Sequence, residues 1–232
     1  MKKELENQAK TENKITYQSI KENKEINTYI AMGNETLRVL GYTDHSKVHA
    51  AKVAHTAGDI LKELGYSPRE IELAKIAGYM HDIGNSINRH DHAHSGALMA
   101  FQILRDLGMK PEEIAIIVSA IGNHDEDTGT AITPISAALI LADKSDVRRN
   151  RVQSKSKASF DKHDRVNYAV QSSELTVNKK KGSIHLNILL DEERCNVLDY
   201  FEIFLERMLM CQRAAELMHL RFKFTVNGNK VL

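Results

Sequence analysis

Ser67-Pro68-Arg69-Glu70-Ile71-Glu72-Leu73-Ala74-Lys75-Ile76-Ala77-Gly78-Tyr79-Met80-His81-Asp82-Ile83-Gly84 is the stretch on which the reading of this chain turns. Ser67 followed by Pro68 signals a helix start: a hydroxyl cap, then a proline at the first helical position, with Glu70 completing a capping box. Ile71, Ala74, Ile76, Ala77 and Met80 recur at helical spacing, so one face of this helix is expected in a core. The apolar run then ends in His81-Asp82, polar side chains that are costly to bury unless something there satisfies them. Gly84 is the expected stop.

Outward from this helix the pattern stays helical. Ile15 to about Leu40 reads as one helix closed by Gly41, and Asp44 as the N-cap of a second that carries Val53, Ala54, Ile60 and Leu61 and stops at Gly65. His92 to Leu107 and Pro111 to about His124 give two more, and Pro134 opens a very apolar helix that delivers Asp143. After about Val152 the character changes to a polar linker, Ser154 to Ser159, and a short helix around Val166 to Val170. Leu175–Val177 and Ile184–Leu190 read as a hairpin turning at Lys179–Gly182. A long helix with Val197, Phe201, Phe204, Met208 and Cys211 on one stripe follows, then alternation from Leu220 to Val226 and a turn at Asn227-Gly228. The expected fold class is mostly α: a helical bundle with a small C-terminal α+β module in β-β-α-β-β order. The expected divisions are a frayed or disordered tail over 1–14, a helical domain with the metal site over 15–152, and the C-terminal module over 153–232.

In 232 residues, 42% apolar residues suffice for a sizeable core, and 27% charged residues are ordinary for a soluble protein. A net charge of +1 argues against a long nucleic-acid surface, whereas a small phosphate-bearing ligand needs only a few local cations. Neither a bilayer-spanning apolar run nor a signal-like N-terminus is seen. Cys195 and Cys211, placed in one expected helix, are too far apart to pair and read as reduced thiols of a cytoplasmic protein.

Eight of the eleven histidines fall between His45 and His124, the first sign of a metal. Asp143 follows Leu139-Ile140-Leu141-Ala142, where an unpaired carboxylate is costly and a divalent cation would remove the cost. Imidazole with carboxylate suits Fe, Mn, Co, Ni or Zn, with Mg also admitted.

These residues resemble the HD superfamily of metal-dependent phosphohydrolases, a helical-bundle fold. His49-Ala50-Ala51-Lys52-Val53 is similar to its first element, His81-Asp82-Ile83-Gly84 to its second and Ala142-Asp143-Lys144-Ser145-Asp146 to its last. The resemblance implies that His49, His81, Asp82 and Asp143 hold a metal. It further implies that His92, in His92-Ala93-His94-Ser95-Gly96-Ala97, and His124 hold a second, with Asp82 shared by both. Asn85 stands where a Lys is common in the cyclic-di-GMP branch, and that branch's Gly-Tyr-Pro element is missing.

The expected function is hydrolysis of a phosphate ester or anhydride, of a nucleotide or dinucleotide, by water that a bound metal activates. Asp82 and Lys144 are the expected catalytic residues, with Lys144, Arg148, Arg149 and His94 expected to contact substrate phosphate. A solvated helix end for the arginines, a helix-start surface role for His45, simple loop polarity for His90 and Asp91, and no site role for His163-Asp164 are the plainer alternatives. A silent metal-binding regulatory module and a diiron oxygenase also stay open. The small C-terminal sheet, with open edges, suggests a homodimer or a docked domain.

Overall fold

The computed structural model describes residues 14–153 and 162–232. The expected tail, apart from Lys14, and the linker Ser154–Ser159 lie outside the described residues, as does the side chain of His163. Helices α1 (Tyr17–Glu22), α2 (Lys24–Val39), α3 (Lys47–Leu64) and α4 (Pro68–Met80) come first, followed by a 3-10 turn at Ile83–Ser86. Helices α5 (His92–Asp106), α6 (Pro111–Gly122) and α7 (Pro134–Lys144) complete the bundle. A second 3-10 turn (Arg149–Arg151) and α8 (Lys162–Ala169) lead to β1 (Val170–Asn178), β2 (Ser183–Leu190), α9 (Val197–Leu217), β3 (Arg221–Val226) and β4 (Asn229–Lys230). The mostly helical class and the β-β-α-β-β order of the C-terminal part agree with the sequence.

Several boundaries differ for identifiable reasons. The first expected helix is two, because Asn23 adopts an extended backbone and its side chain accepts from Ile26 N–H, capping α2. Ser46, not Asp44, caps α3; Asp44 instead accepts from the Ser46 hydroxyl at 2.8 Å. Cys195 precedes α9, whose cap is Asn196, and both cysteines are free and buried. The capping box at Ser67 forms as expected.

α4 ends at Met80, before Gly84, and Gly84 has a different task. A Cβ there would collide with the His92 carbonyl oxygen and crowd Gly96 N–H. Its absence lets the 3-10 turn lie directly on the start of α5, which brings His92 toward Asp82. Gly78 does the same between helices: a Cβ would stand 2.8 Å from Ala54 Cα, so α3 and α4 pack backbone to backbone. α7 packs against α3, α4 and α6 and is buried along nearly its whole length. Each fully buried Leu or Ile there contributes on the order of 1.5–3 kcal/mol relative to exposure.

The sheet order is β1-β2-β3-β4. β1 with β2 and β3 with β4 are antiparallel, while β2 and β3 run parallel, joined by α9 as the crossover. Tyr200, Phe204 and Phe224 pack ring to ring between α9 and β3. α9 also packs against α7, and Ser173 of β1 donates to the Ser145 carbonyl, so the C-terminal part reaches the helix that carries Asp143. Among the described residues no helix is long and apolar enough to cross a membrane.

Candidate metal centre

Four helices deliver four imidazoles to one point. His49 lies in the first turn of α3, His81 directly follows α4, His92 is the first residue of α5, and His124 follows α6. All four are buried, each 1% exposed or less.

Their tautomers follow from their partners. A carbonyl oxygen can only accept, so a ring nitrogen facing one must carry the proton. The Nδ1–H of His81 donates to Gly78 O at 2.8 Å, that of His92 to Arg89 O at 3.2 Å, and that of His124 to Ile121 O at 2.6 Å. His49 Nδ1 faces the Asp146 carboxylate at 2.8 Å, which holds the proton on Nδ1 in the same way. All four Nε2 lone pairs therefore face the cluster, that of His92 also accepting from Arg89 NH1 at 3.3 Å. A carboxylate or carbonyl behind each imidazole is the usual support of a metal-binding histidine.

Asp82 divides its oxygens between two pairs of these rings. Oδ2 is 3.5 Å from His49 Nε2 and 3.0 Å from His81 Nε2. Oδ1 is 3.5 Å from His92 Nε2 and 3.8 Å from His124 Nε2, and accepts from the Asn85 amide at 3.0 Å. Asp143 Oδ1 closes the first group, 3.3 Å from His49 Nε2 and 3.6 Å from His81 Nε2.

A cation fits these donors. His49 Nε2, His81 Nε2 and Asp82 Oδ2 are buried without a hydrogen bond, an arrangement that costs about 1–3 kcal/mol per group unless something binds them. His92 Nε2 and His124 Nε2, both lone-pair ends, face each other at 3.2 Å, which also calls for a proton or a cation between or beside them. Three overlapping sets have ligand atoms all within 4.8 Å of one another: His49, His81 and Asp82; His81, His124 and Asp143; Asp82, His92 and His124. The site can hold a divalent metal.

Residues 48–157 match the HD domain family, and every residue of the cluster falls inside that range. This part of the chain is an HD domain. HD domains form a superfamily of metal-dependent phosphohydrolases. The chain is also similar to an uncharacterized protein of Methanocaldococcus jannaschii, 37% identical over 101 residues, covering 37% of this chain and 39% of the relative. The match thus spans well under half of that relative's length.

The electrostatics of the HD site are strongly coupled. Burial disfavours the His81 imidazolium, but Asp82 and Asp143 outweigh it and push its pKa up to about 10. Burial and the neighbouring His124 lower His92 to about 4, so His92 is neutral at pH 7 and ready to ligate. Burial would raise Asp82 and Asp143, but His81 beside the first and Lys144 beside the second hold both well below the usual carboxylate range.

The basic residues expected to meet a phosphate are each held by protein partners. Lys144 is buried, 3.0 Å from Asp143 Oδ2 and 2.5 Å from Glu126 Oε2. Burial would lower its pKa, but those two carboxylates hold it above the ordinary lysine value. Arg148 grips Asp146 at 2.6 and 3.0 Å. Arg149 donates to Tyr168 O, lies 4.8 Å from the Tyr168 ring centroid and pairs with Asp191, so it belongs to the C-terminal side. Each of the three residues expected to contact phosphate thus has a carboxylate partner. His94 is half exposed, with Nδ1 3.6 Å from Asp91.

The sequence reading gave no role to the residues that hold the ligands. Asp146 is 2% exposed and takes His49, Lys52, Arg148 and Arg151 at once; its position three residues after Asp143 was the available signal. Arg151, also buried, donates to Asp146 O and Asp44 O. Glu126 joins Lys144 to Arg207 of α9, whose Nε donates to Glu126 Oε1 at 2.9 Å. Burial would raise the Glu126 pKa, but Lys144 and Arg207 outweigh it and lower it. Nothing in the local sequence links Arg207 to Glu126. His45, half-buried, sets its ring edge-on to His49 at 5.5 Å and donates Nδ1–H to Thr43 O.

Proposed function

We propose that this HD domain is a phosphohydrolase that cleaves a phosphate ester or anhydride of a nucleotide or dinucleotide, using two divalent ions. The observation that carries the reading is the division of Asp82: one oxygen toward His49 and His81, the other toward His92 and His124. His49, His81, Asp82 and Asp143 would hold one ion; Asp82, His92 and His124 would hold the second.

Ions so held would supply a nucleophile from water near neutral pH and would neutralise charge developing on a phosphoryl oxygen. The chain's own residues do the rest. Asn85 fixes the Asp82 carboxylate by donating to Oδ1. Asp146 keeps the His49 proton on Nδ1, so Nε2 stays a donor of its lone pair. Lys144 holds Asp143 Oδ2 and thereby aims Oδ1 at the histidines, which makes it a positioning residue. The imidazoles are closed to solvent, whereas the Asp82 and Asp143 side chains keep 10% and 12% of their surface accessible. A phosphorylated substrate would approach from that carboxylate side.

The test is metal analysis of the full chain coupled to a screen of nucleotides, dinucleotides and cyclic dinucleotides for phosphate or nucleotide release. Wild type is expected to turn over at least one of them with Mn or Fe, and Asp82→Ala to lose both metal and turnover. Iron-dependent oxygen consumption without hydrolysis of any phosphate compound would overturn the proposal.

A further inference from the structure

We infer that Arg89 is the anion clamp of this centre: its guanidinium holds a phosphoryl oxygen of the ligand beside the His92–His124 half of the cluster. The inference rests on the phosphohydrolase reading above and deepens it. Arg89 lies on the segment between the 3-10 turn and α5, and its NH1 stands 3.3 Å from His92 Nε2. It is partly buried, and among the described residues no carboxylate lies within ion-pair distance of it. That sets it apart from Lys52, Lys144, Arg148, Arg149, Arg151 and Arg207, each of which has an acidic partner.

A cation 3.3 Å from a nitrogen that faces a metal-binding cluster needs a counter-charge once that nitrogen is ligating. Guanidinium cannot shed its charge as a lysine can. An anion reaching both the centre and Arg89 supplies the counter-charge, and phosphoryl oxygens match the guanidinium donors. The side chain is already held for this. Its guanidinium carbon sits 5.6 Å from the Tyr42 ring centroid, a cation–π contact that helps to fix the side chain.

The experiment titrates inorganic phosphate into the Mn-loaded full chain by calorimetry, with metal content measured on the same samples. Arg89→Ala should weaken phosphate binding tenfold to about a hundredfold, the loss of a charged hydrogen-bonded pair, while metal per chain stays at the wild-type value. Arg89→Lys should recover part of the affinity. Arg149→Ala, which removes the same charge away from the cluster, should bind phosphate as wild type does. If Arg89→Ala binds phosphate as wild type does, the clamp is overturned and the phosphohydrolase reading survives. If Arg89→Ala loses metal instead, Arg89 supports His92 and the clamp is overturned. An equal loss in Arg149→Ala would make the effect one of net charge and overturn it as well. Absence of phosphate binding to metal-loaded wild type would sink the clamp and the parent reading together.

Discussion

Asp146→Asn isolates what lies behind the ligands. The substitution keeps the size of the side chain and removes its charge. His49 Nδ1 then faces an amide oxygen, a weaker acceptor than the carboxylate now 2.8 Å away, so the ring is less firmly held and less basic at Nε2. Loss of a carboxylate behind a metal-bound imidazole typically costs 10- to 100-fold in metal affinity, or about 1.4–2.8 kcal/mol. Folding should suffer too, because the same carboxylate is the partner of Lys52, Arg148 and Arg151. Removing one member of a buried pair costs about 3–5 kcal/mol when the other is trapped. Here Lys52 and Arg148 keep 38% and 22% of their side-chain surface and can turn to water, whereas Arg151 keeps 5% and cannot. A loss of about 2–3 kcal/mol is expected, or a fall of roughly 4–12 °C in Tm for a chain of this size. Competition with a fluorescent chelator gives the affinity, and thermal unfolding of metal-free protein gives the stability. An Asp146→Asn chain that binds metal within twofold of wild type would refute the role given to Asp146.

Three further outcomes follow from the same geometry. His92→Ala or His124→Ala should bring Mn from two toward one equivalent per chain by elemental analysis, with the fold retained; wild type saturating at one ion would end the binuclear reading. Because the folded-state pKa of His81 is about 10 against an ordinary 6.5, its proton stabilises metal-free protein fully below about pH 6.5, and that contribution fades as pH rises toward 10. The same proton opposes ligation at Nε2, so metal affinity should climb over that window; denaturant titrations and chelator competition at pH 6 and 9 check both signs, and a metal-free protein stabilised by the shift to pH 9 would contradict the first. Arg207→Ala should leave Glu126 answered by Lys144 alone, draw Lys144 from Asp143 and weaken metal binding several-fold, while Arg207→Lys restores part of it; an unchanged chelator titration would disconnect α9 from the centre.

Much of this protein is legible in its amino-acid order because the relevant physics is local. The Ser67 capping box, the apolar periodicity of α4 and α7 and the Asn227-Gly228 turn each depend on residues within a few positions. His49, His81, Asp82, His92, His124 and Asp143 were legible through their resemblance to the motifs of the HD superfamily, and the fold brings them into overlapping groups that could hold a metal. The charges were not. Whether Lys144, Arg148, Arg149 or Arg89 faces a ligand depends on which carboxylate each meets. The partners of Lys144 and Arg149 come from a loop 18 residues before Lys144, from α9 for the same ion-pair chain, and from Asp191 near the end of β2. Long cationic side chains can reach many places from one backbone position, so spacing along the sequence does not choose among them. Only the packing of α3, α4, α5 and α7 around the cluster, made close by Gly78 and Gly84, decided that Asp146 backs His49 and that Arg89 stands beside His92 with no carboxylate at ion-pair distance among the described residues.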